Sequence, residues 1–397
     1  MKMIKQMLFL TVVVVFTSCK SEVPKPEVIA NPPSSARGYL VSYAKTGEMT
    51  ADEIVSFGAE EGDVSGYVNH DLAIYTLIYN SVHQGEKLEI SGLVFVPILA
   101  NKTLDIIQNH HGTIIPGDEE VPSAYAGGRE GIEMSFVGAT MASNGYIVSM
   151  PDYVGYGASV DREHPYTVHS ELAEESIDML LATRQLMEQL ALDFSGNVFL
   201  TGWSEGGGAG LATHKLLQEQ YEDQFTIVGS SMFAGPYDYF GFMQDVLVSR
   251  RDISDINLTI YSWAVYALNK SALQREASTI WRHAVTNQIE ALDLPSYKAG
   301  EVFQDTFVEG LVNELDQEWV ATVKQNSLIQ EWIPKGHVYL HSGTDDFIVP
   351  HYNAVNAHEY FQSVDANSTL YEYAGGDHYS PLYQYLTTTL DDFNSLH

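Results

Sequence analysis

The sequence predicts an α/β fold, in which helices cover both faces of a mostly parallel β-sheet. Short apolar runs alternate with longer helix-like segments over most of the chain, which is typical of parallel strands joined by helices. With 397 residues, of which 45% are apolar and 18% charged, the chain can form one large globular core. The strand-like runs are 106–107, 146–150, 198–201, 227–232, 338–341 and 369–373, and the clearest helical segments are 171–190 and 207–221.

Two regions depart from this alternation. The runs 72–81 and 88–97 are separated by a short Gly-containing segment and predict an antiparallel hairpin ahead of the parallel sheet. From residue 237 to about residue 335 there is no strand–helix rhythm, and helix-like patterns at 258–268 and 307–323 occur together with four of the five tryptophans. We expect this stretch to be a helical cap inserted over the sheet. The alternative is a set of helices packed at the sheet edge.

The first 19 residues have the pattern of an export signal. Lys2 and Lys5 precede an apolar segment, Met7–Phe16, that is too short to span a bilayer as a mature helix. Residues 16–19 then resemble the lipobox of bacterial lipoproteins, with Phe16 where leucine is usual, and Cys19 is the only cysteine in the chain. We therefore expect lipidation at Cys19 and attachment to the periplasmic or outer side of the cell envelope. An ordinary cleaved signal with secretion is the alternative.

The residues after Cys19 predict a tether and then a folded domain. Four prolines lie among polar residues in the segment 20–37, which has no periodic apolar face and is typical of a flexible linker. The folded domain is expected over residues 38–397.

The charge balance excludes one class of function. The chain has 20 Lys and Arg residues against 52 Asp and Glu residues, a net charge of −32. Because such a surface repels polyanions and anionic headgroups, we expect no nucleic-acid partner and membrane contact only through the N-terminal lipid anchor.

The most specific motif is Gly-x-Ser-x-Gly at residues 202–206. An apolar strand-like run leads into it and a helix with small residues follows, which is the strand–turn–helix context of a nucleophile elbow. The tight turn would project the Ser204 hydroxyl above the sheet, while Gly202 and Gly206 leave room for neighbouring backbone. A Gly-rich packing turn is the structural alternative. A phosphate-binding loop would need a Gly-Lys-Ser/Thr ending, which is absent here.

A serine nucleophile needs a base and an acid, expected in the chain order Ser, acid, His. The two last strand-like runs each end in a suitable loop: the first carries Asp345 and Asp346, and the second is Gly-rich and ends at His378. His378 is therefore the predicted base, and either aspartate could orient it.

An oxyanion hole requires backbone N–H donors. We expect one from Glu205, the residue after the nucleophile. The second should come from the loop after the first parallel strand, where Gly112 or Thr113 could donate and Thr113 is preferred. His110 and His111 precede this loop, but adjacent residues of an extended chain point to opposite faces and could not easily share an ion. We expect neither a metal nor a cofactor.

Together these motifs resemble the α/β-hydrolase superfamily, and the similarity runs from about residue 70 to the end. Two further segments, 151–166 and 234–238, are similar to the secretory lipase and esterase branch of bacteria and fungi. The resemblance implies an α/β-hydrolase fold, and it implies Asp346 as the acid, because Asp346 begins the Asp-x-x-Val-Pro pattern that ends at Pro350. The chain departs from some secreted relatives in having no cysteine after Cys19.

The function implied by the resemblance is hydrolysis of a small-molecule or lipid carboxylic ester through an acyl-enzyme. A peptidase or an acyltransferase could use the same residues. A non-catalytic binding protein on this scaffold would be expected to have lost one of the three. We expect the cap to set the choice of substrate.

Overall fold

A ten-stranded sheet forms the centre of the computed structural model, which describes residues 27–28, 37–100, 103–118, 120–248 and 255–396. Its strands lie in the order β1-β2-β3-β4-β6-β5-β7-β8-β9-β10. The pairs from β1 through β4 to β6 are antiparallel, and those from β6 through β5 to β10 are parallel. The strands are β1 Glu27–Val28, β2 Leu40–Met49, β3 Leu72–His83, β4 Glu86–Pro97, β5 Thr103–His110, β6 Ile147–Pro151, β7 Asp193–Trp203, β8 Thr226–Phe233, β9 His337–Gly343 and β10 Ser368–Tyr373.

Helices cover both faces of this sheet, which confirms the predicted fold class. The α-helices are α1 Ala51–Gly58, α2 Ala139–Ser143, α3 His169–Gln189, α4 Glu205–Gln220, α5 Tyr239–Val248, α6 Asp255–Leu268, α7 Gln288–Leu292, α8 Ala299–Val302, α9 Asp305–Val312, α10 Gln317–Gln325, α11 Tyr352–Ser363 and α12 Leu382–Ser395. Within the described residues, no helix is both long and apolar enough to cross a bilayer. The expected export signal and Cys19 lie outside the described residues.

Alternate residues of each strand supply two separate apolar cores. Ile106 of β5 packs with α3, α4 and α11 on one face, while its neighbour Ile107 packs with α1, α2 and α12 on the other. This division follows from the two-residue period of a strand, whose successive side chains point to opposite faces. The central strands are therefore packed on both faces, and they support the loops that follow their carboxyl ends.

A third apolar cluster is formed mainly by the stretch 237–335, which contains helices α5 to α10, and also includes Tyr166 and Val168 from the segment before α3. Trp263, Trp281 and Trp319 are buried in it, whereas Trp332 packs in the core beneath α11. The pattern at 307–323 predicted one helix, but the structure has two. Glu314 adopts a positive φ of 52°, and Asp316 then caps α10 by accepting a hydrogen bond from the N–H of Trp319. We refer to the helices α5 to α10 as the cap.

Candidate active site

Ser204 occupies the sharp turn between β7 and α4. Its φ of 58° and ψ of −122° are costly for a residue with a Cβ, so the surroundings must hold the turn. The Ser204 N–H donates to the carbonyl of Phe233 at 2.9 Å, and the Gly207 N–H donates to the Ser204 carbonyl at 2.9 Å. The turn is therefore fixed by β8 on one side and by α4 on the other.

The two glycines of the motif are required by close backbone contacts. A Cβ at Gly202 would lie 2.1 Å from the carbonyl oxygen of Gly206, and one at Gly206 would lie 2.0 Å from the carbonyl oxygen of His110. Both distances are far below a van der Waals contact. The elbow can pack against the end of β5 only because these positions have no side chain.

Ser204, His378 and Asp346 form one hydrogen-bonded line. His378 Nε2 lies 2.9 Å from Ser204 Oγ, and His378 Nδ1 lies 2.7 Å from Asp346 Oδ2. The N–H groups of Ile348 and Val349 donate to the other carboxylate oxygen, Oδ1, at 2.9 and 3.0 Å. Because a carboxylate accepts from Nδ1, the proton of the imidazole resides there and Nε2 is free to accept from the serine hydroxyl.

Neighbouring parallel strands bring these residues together. Asp346 follows β9 and His378 follows β10, so their loops lie side by side at the carboxyl edge of the sheet. Asp345, the other candidate acid, is exposed, and its N–H donates to the carbonyl of Gly376 at 2.9 Å. The indole of Trp203 donates to the carbonyl of His378 at 3.1 Å and so ties this loop to the elbow.

The predicted oxyanion loop lies against the elbow, with one difference from expectation. The Gly112 N–H donates to Glu133 Oε1 at 2.9 Å, so it is not open to a substrate. In the described part of the chain, no acceptor engages the N–H of Thr113. Glu205 begins α4, and its N–H therefore has no carbonyl within that helix to bind. Thr113 and Glu205 remain the two possible donors.

Because its N–H is already bonded to Glu133, Gly112 contributes to the site by letting the oxyanion loop lie close to the elbow. A Cβ at this position would lie 3.2 Å from the carbonyl oxygen of Trp203 and 3.5 Å from Ser204 Cβ. The carboxyl that holds its N–H, Glu133, stands at the start of a π-helical turn, and burial raises its pKa to about 8. No sequence motif indicated Glu133, because its role depends on a contact between two loops.

A buried glutamate–histidine pair packs beside the turn that carries Ser204. The side chains of Glu205 and His164 are both fully buried, and His164 Nε2 lies 2.9 Å from Glu205 Oε1. The Thr167 N–H donates to the same oxygen at 3.1 Å. Burial alone would lower the pKa of His164, but the Glu205 carboxylate outweighs it and raises that pKa. The segment between β6 and α3 is thereby held against the residue that follows the nucleophile.

The cap contacts the body through the same segment. The ring of Tyr166 stacks on Trp263 of α6 with centroids 4.0 Å apart and planes at 2°. The Tyr166 hydroxyl also lies 2.8 Å from Thr113 Oγ1, in the oxyanion loop. One tyrosine therefore joins the cap to the loop that would bind the oxyanion.

The two adjacent histidines before this loop do not converge. His110 Nδ1 lies 2.8 Å from the carbonyl oxygen of Thr201 in β7, whereas His111 Nε2 lies 3.1 Å from the carbonyl oxygen of Asp152. Asp152 itself is buried and accepts from the Ser91 hydroxyl and the Ser123 N–H. These three residues fix the loops around the elbow.

Comparisons with known proteins find similarities to a lipase family and to solved structures of hydrolases and esterases. The secretory lipase family model matches residues 120–246. A putative hydrolase from Legionella pneumophila is 23% identical over 90% of this chain and 98% of its own, with a TM-score of 0.77. The rice cell wall degrading esterase LipA from Xanthomonas oryzae is 22% identical over 91% of this chain and 97% of its own, with a TM-score of 0.74.

A more distant structure extends the comparison. Candida antarctica lipase A is 16% identical over 88% of this chain and 79% of its own, with a TM-score of 0.61. A search of curated proteins gives no match. The structural similarities establish the fold, and the family match begins after Gly112 and Thr113 of the oxyanion loop and includes the elbow. On these grounds the chain has the fold of these hydrolases and esterases, and its residues 120–246 are similar to the secretory lipase family.

Proposed function

We propose that the chain cleaves carboxylic esters through an acyl-enzyme on Ser204, with His378 as general base and Asp346 as the acid that orients it. The observation that carries the proposal is the continuous line of hydrogen bonds from Ser204 Oγ through the imidazole to the buried carboxylate. A serine held at an unfavourable backbone conformation above the sheet, with its base already in contact, is arranged for nucleophilic attack.

The reaction proceeds in two halves. As Ser204 Oγ attacks the ester carbonyl, His378 Nε2 takes the hydroxyl proton, and Asp346 stabilises the resulting imidazolium. The same proton passes to the leaving alkoxide oxygen, the alcohol departs, and the acyl group remains on Ser204. A water molecule then attacks the acyl carbon while giving its proton to Nε2. That proton returns to Ser204 Oγ as the carboxylic acid leaves.

The N–H groups of Glu205 and Thr113 supply the oxyanion hole in this proposal. Charge develops on the carbonyl oxygen in both halves of the reaction, and one such donor contributes about a hundredfold to a thousandfold in rate. The dipole of α4 adds to the stabilisation, because its N-terminus points at the same place. Glu133 keeps the oxyanion loop in position through Gly112.

The surface beside the site favours esters with an apolar part. Ile115, Phe347 and Tyr379 are 44%, 56% and 53% exposed, and each follows within two residues of a proposed catalytic group. Exposed large apolar side chains grouped around a site are typical of binding surfaces for apolar ligands. We infer a small-molecule or lipid ester as substrate, with the cap helices limiting its size.

We further propose that the protein is exported and carries a lipid on Cys19. The support is the order of basic residues, apolar segment and cysteine in the first 19 residues, followed by a Pro-rich segment that would hold the domain over 38–397 away from the envelope. Metabolic labelling with a fatty-acid probe should mark the wild-type chain and leave Cys19→Ala unlabelled. Equal labelling of both chains would refute the anchor.

The catalytic proposal is tested by Ser204→Ala. We expect this variant to lose hydrolysis of nitrophenyl esters by at least about a thousandfold, because the nucleophile is absent while the fold is retained. Ser56→Ala, at an exposed position of α1, is the matched control and should keep wild-type activity.

Two measurements accompany this comparison. A fluorophosphonate should label the wild type and Ser56→Ala but not Ser204→Ala, and circular dichroism should give the same spectrum for all three. Retained esterase activity in Ser204→Ala would sink the proposal. Preferential turnover of aminopeptide substrates over esters would identify a peptidase instead.

A further inference from the structure

Three potential metal ligands meet on the side of the molecule where the hairpin contacts α3. His83 ends β3, while Glu171 and Glu175 lie one turn apart on α3 and so share one face of that helix. His83 Nδ1 lies 3.1 Å from Glu171 Oε2 and 3.2 Å from Glu175 Oε1. The three ligand atoms all lie within 4.8 Å of one another.

Protein hydrogen bonds leave these three atoms incompletely satisfied. A single Nδ1–H cannot donate fully to two carboxylates. Glu171 Oε2 is buried and lies 3.1 Å from His83 Nδ1, but no hydrogen bond of good geometry reaches this oxygen within the described residues, although the Gln84 side chain lies near the same carboxyl. The side chains of Glu171 and Glu175 are 17% and 1% exposed, so little water reaches either carboxylate. A buried carboxylate oxygen without a partner is costly, which indicates that another group belongs at this point.

The outer oxygens of both carboxylates are already engaged. The Ser271 hydroxyl donates to Glu171 Oε1, and the Val154 N–H donates to Glu175 Oε2 at 2.9 Å. These bonds turn the remaining oxygens, one from each glutamate, toward His83 Nδ1. Outer partners that orient the ligating atoms in this way are characteristic of metal centres in proteins.

We propose that His83, Glu171 and Glu175 bind a divalent transition-metal ion of the Zn²⁺ type, with water completing its coordination. One imidazole and two carboxylates are ligands that such ions accept. Tetrahedral bonds of about 2.0–2.2 Å place neighbouring ligand atoms roughly 3.3–3.6 Å apart, slightly farther than the 3.1 and 3.2 Å that separate His83 Nδ1 from the two carboxylate oxygens. A cleft of about 560 Å³ is lined by Glu171 and Ser271, so it lies beside one of the three proposed ligands.

The charges at the cluster also favour a cation. The carboxylates of Glu171 and Glu175 both lie within 3.2 Å of His83 Nδ1, so two negative charges are held close together. The ammonium of Lys270 lies near His83, but it is paired with Glu163. A dication would compensate both carboxylates, and the net charge of −32 would attract it.

The position of the cluster gives the ion a structural role. His83 belongs to the hairpin, Glu171 and Glu175 to α3, and Ser271 to the π-helical turn Asn269–Leu273 that follows α6 in the cap. An ion bound here would join the hairpin to α3 and, through Ser271, to the cap. It binds only the folded chain and should therefore stabilise that chain against unfolding.

Metal titration of the purified protein tests the proposal. After removal of metals with a chelator, ZnCl₂ should bind at one ion per chain by calorimetry and raise the Tm by several degrees. MnCl₂ should act more weakly, following the usual order of affinities, and CaCl₂ should have little effect because the site offers few oxygen ligands. His83→Gln and Glu171→Gln should each weaken Zn²⁺ binding by at least about tenfold and lose the Tm rise.

Two further variants separate this site from other causes. His351→Gln removes the surface pair between His351 and Glu372 and should leave Zn²⁺ binding unchanged. Ser204→Ala should bind Zn²⁺ like the wild type, so the metal site is tested independently of the proposed esterase activity. Failure of the wild type to retain Zn²⁺, or equal binding by His83→Gln measured on folded protein, would overturn the proposal and leave a protonated His83 pairing with both glutamates.

Discussion

At the scale of single residues, two adjacent aspartates show how environment decides chemistry. Asp346 is 6% exposed, with one carboxylate oxygen on His378 and the other on two backbone N–H groups. Asp345 is exposed, its N–H donates to the carbonyl of Gly376, and, among the described residues, its carboxylate accepts only from the neighbouring Thr344 hydroxyl at 3.4 Å. The side chains are identical, and only the buried one can fix the tautomer of the imidazole.

Exchanging each aspartate for asparagine separates these roles. Asp346→Asn should lower kcat by about ten-thousandfold, because an amide can donate to Nδ1 and so favours the wrong tautomer. Asp345→Asn should stay within a few-fold of the wild type. The check is ester hydrolysis under saturating substrate, with a melting curve for each variant. A similar loss of kcat in both would contradict the assignment of Asp346.

The residues of the sequence motifs could be predicted, whereas the buried residues that support them, such as Glu133 and His164, could not. Ser204 and His378 are each indicated by a strand followed by a Gly-containing turn, which a few neighbouring residues determine. Their order along the chain adds to this signal. The contacts of Glu133 with Gly112 and of Glu205 with His164 join segments far apart in the chain. Their burial and their effects on pKa arise only when the loops pack together, so no local pattern indicates them.

At the scale of elements, the junction of β7 with α4 depends on glycine. Gly206→Ala should destabilise the protein by about 1–3 kcal/mol or more and lower activity, because its Cβ would press on the carbonyl of His110 and displace the elbow. Gly66→Ala is the matched control, since a Cβ there meets nothing within 4 Å. Urea unfolding with parallel activity measurements checks this. Wild-type stability in Gly206→Ala would show that the elbow can relax.

The interior strands were predicted from their apolar runs, whereas the edge-side strand β2 was missed because it lacks such a run. Strands β5 to β9 are buried on both faces and therefore consist of apolar runs that stand out in the sequence. β2 has mostly half-buried residues, and its sequence, Leu40–Met49, lacks a clear apolar alternation. The division between α9 and α10 likewise rests on one residue in a left-handed conformation, Glu314, which an apolar pattern does not detect.

At the scale of the whole molecule, buried ionisable groups set the response to pH. Burial lowers the pKa of His110, His169 and His214 to about 4 and that of His341 to about 3. Below about pH 6.5 these histidines become protonated in the unfolded chain but stay neutral in the folded protein. The free energy of unfolding therefore falls as the pH falls. Burial also raises the pKa of Glu133 to about 8, and this carboxyl has the opposite effect, since stability falls as the pH rises toward 8.

His341 offers the sharpest test of this balance. It is fully buried in β9, with Nε2 2.9 Å from Ser231 Oγ and Nδ1 2.8 Å from the Tyr373 hydroxyl, so its neutral form is already hydrogen-bonded at both nitrogens. Between about pH 7 and about pH 5 the wild type should lose about 2 kcal/mol of unfolding free energy through this one group, since its folded pKa lies below that window and its unfolded pKa near 6.5. Glutamine does not titrate, so His341→Gln should lose about 2 kcal/mol less over the same interval, whatever its stability near neutral pH. Urea unfolding at both pH values gives the difference directly. His351→Gln, the same change at the surface, should keep the wild-type loss, and a His341→Gln loss equal to that of the wild type would mean that the imidazole becomes protonated without unfolding.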